Sequence, residues 1–173
     1  ILVASDGTAY LMDFGLAKMD DADHRALSIS GVTLGTPAYM GPEQARGQWS
    51  EVDARSDVYS LCATLYHALT GEPPFTANSI AEMLHHVLSH DPLPPRLLDP
   101  TLDRDLETVC LKGLEKEKDR RFASAKDLAD ELGRCLAGEP ILSVPPSFWS
   151  LMRKRLRKNR SWVAAAVVAA AGA

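Results

Sequence analysis

Short apolar runs on either side of a turn open the chain. Residues 1–4 and 9–12 are largely apolar, and the residues between them include Asp6-Gly7, a pair that supplies hairpin turn chemistry. This pattern predicts a β-hairpin. Residues 20–36 are polar, rich in turn formers and without sustained periodicity, which predicts a long loop. Loops of this length in compact domains are usually functional or disordered.

Helical periodicity dominates the next hundred residues. Apolar side chains recur at helical spacing from about Arg55 to Leu69 with few charges between them, which predicts a helix buried on most sides. Further helices are predicted near 79–89, 103–117 and 124–137, with a proline-rich connection before the second of these. Gly138 and Pro140 end the last helix. The pattern therefore predicts a mainly α fold with one short β-hairpin at the N-terminus.

Charge is unevenly distributed along the 173 residues, whose formal net charge is −4. Residues 1–152 hold 13 basic and 23 acidic side chains, whereas 153–173 hold six basic and no acidic ones. An acidic body argues against a nucleic-acid partner, which would require a basic face. The three cysteines lie far apart and form no CxxC pair, so they indicate neither a disulfide framework nor a zinc cluster.

Both ends of the chain suggest a longer protein. The first residues lie inside a predicted strand without an initiator methionine, and the last twelve, Trp162 to Ala173, form an uninterrupted apolar run. A membrane-spanning helix needs about 20 such residues. We therefore expect a piece of a larger chain, with three interpretations of the tail open: a truncated transmembrane helix, a peripheral amphipathic anchor or an Ala-rich linker.

Three motifs occur in order at the joints between the predicted elements. Asp13-Phe14-Gly15 follows the second strand, residues 35–43 read Gly-Thr-Pro-Ala-Tyr-Met-Gly-Pro-Glu, and Ser56-Asp57-Val58-Tyr59 opens the buried helix. The ordered set resembles the C-terminal lobe of eukaryotic-type protein kinases, most closely the bacterial Ser/Thr kinases, over about residues 1–137. The remaining chain would comprise a linker and basic juxtamembrane segment at 138–161, then the start of an apolar helix at 162–173.

The resemblance implies transfer of the ATP γ-phosphate to Ser or Thr hydroxyls of protein substrates, with ATP and Mg²⁺ as cofactors. The Gly-rich loop, strand Lys, helix Glu and His-Arg-Asp catalytic loop of the family do not occur in the 173 residues. We therefore expect this polypeptide to be inactive alone. Two other functions stay open: a pseudokinase that acts as a binding or scaffold module, and an independently expressed helical interaction domain.

The residues that would contact nucleotide and metal lie in and beside the hairpin. Asp13 matches the family's metal-holding aspartate, and Gly15 lets the backbone turn away from it. Phe14 would pack inward and set the direction of Asp13. Leu2 matches a position on the floor of the adenine pocket, with Met12 near its inner edge. A plain role in the β-core explains these two residues about equally well.

The loop after Asp13 resembles an activation segment. Ser28, Ser30 and Thr33 are candidate phosphoacceptors, although each is more readily explained as a solvated loop residue, and Lys18 matches a position that contacts such a phosphate. Thr36 matches the threonine that, in Ser/Thr kinases, hydrogen-bonds the catalytic machinery and helps shape the substrate pocket. Its presence favours Ser/Thr over Tyr as the acceptor.

Three further residues match structural positions of the family. Glu43 is expected to form a buried ion pair with Arg121, with Arg120 as the second choice. Asp57 matches an aspartate that accepts backbone hydrogen bonds from the catalytic loop. An ordinary helix N-terminal Asp also fits, and the two roles are compatible. Gly41 stands where the family usually has alanine, which we expect to loosen local packing.

Two remaining features concern metals and location. His85, His86 and His90 lie close in sequence, but without a third ligand or a Glu partner they indicate surface histidines rather than a metal site. Six basic residues directly before the apolar tail follow the positive-inside rule. They predict a cytoplasmic kinase domain held at the inner membrane by a segment that begins near Trp162.

Overall fold

The N-terminal unit is a two-stranded antiparallel hairpin. The computed structural model describes residues 1–11 and 37–143. β1 (Leu2–Val3) pairs with β2 (Ala9–Tyr10). Gly7 occupies the turn with φ +86°, a conformation that side chains disfavour. Asp6 Oδ1 accepts the Thr8 N–H at 2.9 Å. The predicted hairpin and its turn are thus confirmed.

The second unit, from Pro37 onward, is helical over its described residues. Its helices are α1 (Pro42–Ala45), α2 (Ala54–Thr70), α3 (Ile80–Ser89), α4 (Pro95–Leu98), α5 (Arg104–Gly113) and α6 (Ala125–Ala137). Short 3-10 turns cover Pro37–Tyr39, Trp49–Glu51 and Lys118–Arg120. The mainly helical fold with an N-terminal hairpin is as predicted.

Side-chain caps fix where the longer helices begin. Asp53 accepts the Arg55 N–H before α2, Ser79 the Glu82 N–H before α3, and Ser124 the Asp127 N–H before α6. Each cap satisfies a backbone donor that has no partner within the helix. The starts of these helices therefore lie within one or two residues of the predicted ones.

α5 ends four residues before the predicted end near 117, and the reason lies in the following loop. The carbonyls of Glu115 and Lys116 accept hydrogen bonds from the Arg121 guanidinium. Continued helix would instead direct those carbonyls along its own axis.

The proline-rich connection also differs from expectation, because Pro95 starts the short helix α4, where its fixed φ is favourable.

The core is built around α2. Its buried face carries Val58, Tyr59, Cys62, Ala63 and Tyr66, which pack with Val109, Cys110 and Leu114 of the α5 region and with Leu128 of α6. This burial confirms the prediction for the long helix. Within residues 1–11 and 37–143, no helix is long and apolar enough to cross a membrane. The apolar helix predicted at 162–173 lies outside the described residues.

Candidate functional site

The structure describes four of the residues that the sequence singles out: Leu2, Glu43, Asp57 and Arg121. Leu2 lies on β1 with 55% of its surface exposed. The others lie outside the described residues: Met12, Asp13, Phe14, Gly15, Lys18, Ser28, Ser30, Thr33 and Thr36. Their nucleotide, metal, regulatory and catalytic roles therefore stay predictions.

A buried ion pair joins Glu43 to Arg121 across 78 positions of sequence. Arg121 Nη1 donates to Glu43 Oε1 at 2.8 Å, and Nη2 donates to Oε2 at 2.9 Å. Both residues are at least 95% buried. This is the bidentate pair expected between Glu43 and Arg121. Arg120, the second choice, instead pairs with Glu117 at the surface.

Arg121 uses all five of its N–H donors. Besides the two bonds to Glu43, Nη1 donates to the Arg55 carbonyl at 2.9 Å, Nη2 to the Lys116 carbonyl at 3.3 Å, and Nε to the Glu115 carbonyl at 2.8 Å. A buried guanidinium carries a large desolvation cost unless each donor finds an acceptor. One side chain thereby joins α1, the start of α2 and the loop after α5.

The Glu43 carboxylate is held in its ionised form. Burial acts to raise its pKa, but hydrogen bonds from Arg121 and Ser56 outweigh that effect and lower the pKa to about 2. Gly41 makes room for this carboxylate, because a Cβ on Gly41 would lie 2.7 Å from Glu43 Oε1. The expectation of looser packing at Gly41 is therefore wrong: the carboxylate occupies the space.

Two cationic side chains lie close to the Tyr59 ring, and one of them is Arg121. Arg121 Cζ lies 5.0 Å from the ring centroid and Lys116 Nζ lies 5.7 Å from it. Lys116 Nζ also lies 4.3 Å above the Phe75 ring. Burial raises the pKa of the Tyr59 hydroxyl, so the phenol stays neutral. The aromatic faces help to offset the cost of burying positive charge.

Tyr39, three residues after Thr36, is attached to α2 at two points. Its hydroxyl forms a hydrogen bond with His67 Nδ1 at 2.5 Å, and the two rings stack with an interplanar angle of 21°. The Tyr39 carbonyl accepts from Ser60 Oγ at 2.9 Å. The candidate activation segment, Asp13 to Glu43, is therefore anchored to α2 near its C-terminal end. Sequence analysis missed this contact, since neither residue carries a local signal for it.

Asp57 lies in the first turn of α2 with its side chain exposed. A carboxylate there interacts favourably with the N-terminal end of the helix dipole. The expected bonds to a catalytic loop would require residues that the 173-residue sequence does not contain. Its proposed role in the family stays a prediction.

The structure describes all three cysteines and four of the five histidines, since His24 lies outside the described residues. Across residues 1–11 and 37–143, no group of three or more His, Cys, Asp or Glu side chains could hold a metal ion. His86 Nδ1 donates to the Thr76 carbonyl at 3.1 Å. Cys62 and Cys110 are buried and Cys135 is partly exposed, all three as free thiols. Their predicted placement at core and boundary positions is confirmed.

Comparison with known proteins extends this picture. The family model described as a protein kinase domain matches residues 1–158. The chain is 39% identical over 140 residues to serine/threonine-protein kinase PknB of Mycobacterium tuberculosis, covering 81% of the chain and 22% of that protein. PknB of Mycobacterium leprae gives the same values, and PknB of Mycolicibacterium smegmatis is 37% identical over 139 residues, covering 80% of the chain and 22% of that protein.

The chain thus spans about a fifth of the length of these relatives. The family match, in contrast, takes in the hairpin, the helical unit and the Glu43–Arg121 pair together. The chain belongs to the protein kinase family.

Proposed function

We propose that this chain is part of an ATP- and Mg²⁺-dependent protein kinase that phosphorylates Ser or Thr hydroxyls of other proteins. The observation that carries the proposal is the buried Glu43–Arg121 pair, with all five guanidinium donors used. The pair joins the two positions that the family resemblance relates, and loss of either partner would leave an uncompensated buried charge. The kinase relatives over four fifths of the chain support the same function.

The proposed chemistry depends on position more than on covalent participation by the protein. Asp13 would supply a carboxylate to Mg²⁺, a hard cation that prefers oxygen ligands. When bound, the metal neutralises charge that develops on the transferred phosphoryl group. A carboxylate is a suitable ligand for Mg²⁺, but one carboxylate does not complete a metal site. We infer that the other donors come from a catalytic loop outside these 173 residues and that this polypeptide alone is inactive.

The helical unit is proposed to have a supporting role, and its described contacts support this. Thr36 is proposed to contact the catalytic machinery, and the chain after it is held by Tyr39 on α2 and then by Glu43 on Arg121. Phosphorylation at Ser28, Ser30 or Thr33 would then act on a segment whose C-terminal end is held at Tyr39 and Glu43. Lys18 would pair with the added phosphate.

The direct test is phosphotransfer by the protein expressed from its full gene. Radiolabelled Mg·ATP is supplied with a generic basic protein, and wild type is compared with Asp13→Asn and with Asp130→Asn, which alters an exposed carboxylate on α6. We expect transfer to Ser or Thr in wild type and Asp130→Asn, and at least a hundredfold loss in Asp13→Asn. No transfer by wild type, together with no ATP binding, would contradict the proposal and favour a pseudokinase scaffold.

The C-terminal segment is proposed to tether this kinase to the inner membrane, with the kinase domain in the cytoplasm. Six basic residues between 153 and 160 precede the apolar run, as positive-inside topology requires. The test is fractionation of the full-length protein with Val167→Arg, a charge that disfavours insertion. Wild type should stay in carbonate-washed membranes and the variant should be depleted there. Equal recovery in the soluble fraction would contradict the tether.

A further inference from the structure

The chain reverses direction after α6 and returns along the helical unit. Gly138 adopts φ +67°, a left-handed conformation that lets its N–H bond back to the last turn of α6. The Glu139 N–H donates to the Arg134 carbonyl at 2.9 Å, as in a helix C-terminal cap. Ile141 then packs against the core. We call Glu139–Ser143 the strap.

Two charged side chains close the strap at its far end. Glu131 Oε1, on α6, accepts the Ser143 N–H at 2.5 Å, and Lys112 Nζ, on α5, donates to Ser143 Oγ at 3.2 Å. Glu131 is 4% exposed and Ser143 is 5% exposed. The strap is therefore held by buried polar contacts. Hydrogen bonds in such a site are electrostatically stronger than they are in water.

Glu131 is an unusual choice for this position on α6. It lies three residues after the buried Leu128, on the face of the helix that packs inward. Its hydrogen bonds come from the Ser143 side chain and from the backbone of Leu142 and Ser143, and its charge is balanced by Lys112 and by Arg134, whose Nε lies 3.6 Å from Oε2. These hydrogen bonds outweigh burial and hold the pKa of the carboxyl below its usual value. The carboxylate therefore serves the strap rather than the apolar core.

The strap is held mainly by polar contacts, and this makes it easier to open than a strap held by apolar packing. When the strap lifts, Glu131, Lys112 and Ser143 all regain water, so opening leaves no polar group of this contact buried without a partner. Ile141 alone contributes apolar packing, because the neighbouring Leu142 is 75% exposed. Opening of this segment is therefore much easier than unfolding of α5 or α6.

We propose that Glu139–Ser143 is a releasable strap that sets the point at which the chain leaves the kinase lobe. With the strap closed, residues beyond 143 depart from Ser143, beside Lys112 and Glu131. With it open, they depart from Gly138, and five extended residues add reach of about 17 Å. Closure thus takes up five residues of the chain that connects α6 to the basic segment at 153–160 of the sequence. This holds whether or not the protein transfers phosphate.

Hydrogen exchange on the full-length protein tests the strap. Mass spectrometry follows the amides of Leu142 and Ser143 against those of α5 and α6 in wild type, Glu131→Gln and Lys112→Met. The matched control is Asp130→Asn, which removes an exposed carboxylate from the adjacent position of the same helix. Methionine is a good helix former, so Lys112→Met should preserve α5. It provides an independent test of the strap if Glu131→Gln folds poorly.

We expect the two strap amides in wild type to be protected, yet to exchange at least tenfold faster than the interior amides of α6. Glu131→Gln and Lys112→Met should each raise strap exchange tenfold or more without changing α5 or α6, and Asp130→Asn should change neither. The proposal is overturned if strap and helix amides exchange together in wild type. It is equally overturned if the two variants leave the strap unchanged or accelerate exchange throughout α5 and α6.

Discussion

The Tyr39 hydroxyl and His67 Nδ1 lie 2.5 Å apart, which attaches the C-terminal part of the candidate activation segment, Asp13 to Glu43, to the last turn of α2. The Ser60 hydroxyl holds the Tyr39 carbonyl in the same place. The first of these bonds depends on the tyrosine side chain and the second on its backbone. The contact therefore links the central helix to the segment proposed to receive the protein substrate.

Removal of one hydroxyl tests this link. Tyr39→Phe keeps the ring and leaves His67 without its phenol partner, which should lower stability by about 1–3 kcal/mol. We expect KM for the protein substrate to rise severalfold while KM for ATP is unchanged. The matched control is Tyr66→Phe on α2, which loses a hydroxyl that donates to the Leu93 carbonyl in the connection before α4. Tyr66→Phe should lower stability without changing KM for the protein substrate. If both variants raised that KM equally, a specific role for Tyr39 would be contradicted.

Substitution of Arg121 should be far more damaging than substitution of its neighbour. Arg121→Lys keeps the positive charge but loses the planar fork and leaves buried acceptors without donors, so the free energy of unfolding should fall by about 1–3 kcal/mol. Arg120→Lys, at a partly exposed pair with Glu117, should change it by less than about 0.5 kcal/mol. Denaturant titration of both variants measures the difference. Similar losses for the two would show that the buried geometry is unimportant.

Acid should weaken the same ion pair within a defined pH range. The pKa of Glu43 is about 2 in the folded protein against an ordinary value of 4.5. Because the folded value is lowered, the stabilisation is complete above about pH 4.5 and is lost as the pH falls towards 2. Unfolding free energies of wild type and Glu43→Gln, measured between pH 6 and 3, should converge at low pH. Curves that stay parallel over this pH range would show that Glu43 is not the cause of the loss of stability in acid.

Two helical glycines should respond to alanine in opposite ways. A Cβ on Gly113 of α5 would lie 2.0 Å from Cys62 Sγ, whereas a Cβ on Gly133 of α6 meets nothing within 4 Å. Gly113→Ala should therefore force α5 from α2 and cost about 1–3 kcal/mol or more. Gly133→Ala should stabilise by about 0.5–1 kcal/mol. Thermal unfolding measures both, and a stabilised Gly113→Ala would contradict the close crossing.

The three thiols should differ in reactivity. Burial raises the pKa of Cys62 to about 12 and also raises that of Cys110, so neither forms a reactive thiolate near neutral pH. Cys135 is partly exposed on α6. Iodoacetamide at pH 8, followed by peptide mapping, should modify Cys135 first and the other two only in denaturant. Rapid native labelling of Cys62 would indicate that α2 and α5 separate easily.

Local patterns in the sequence predicted the elements well and their long-range polar contacts poorly. The caps at Asp53, Ser79 and Ser124 and the apolar spacing of α2 act within one turn, so they can be recognised along the chain. The Glu43–Arg121 pair, 78 positions apart, was expected only through the family resemblance. Nothing local relates Tyr39 to His67.

Glu131 illustrates a signal that was present and missed. An acidic residue three positions after Leu128 falls on the buried face of α6 and requires donors from elsewhere. The sequence could therefore indicate that a partner exists. It could not identify the Ser143 N–H, because that contact depends on the reversal of the chain at Gly138.

The five bonds of Arg121 also bear on the order of events in folding. Its acceptors at Glu43 and Arg55 are separated from it by 78 and 66 positions, whereas those at Glu115 and Lys116 are within six. Long-range contacts require closure of long loops, so the local bonds can form first and the distant ones must wait for α2 and α5 to dock. Interactions that form after the transition state mainly slow unfolding. Arg121 would thus determine how long the folded lobe persists more than how quickly it assembles.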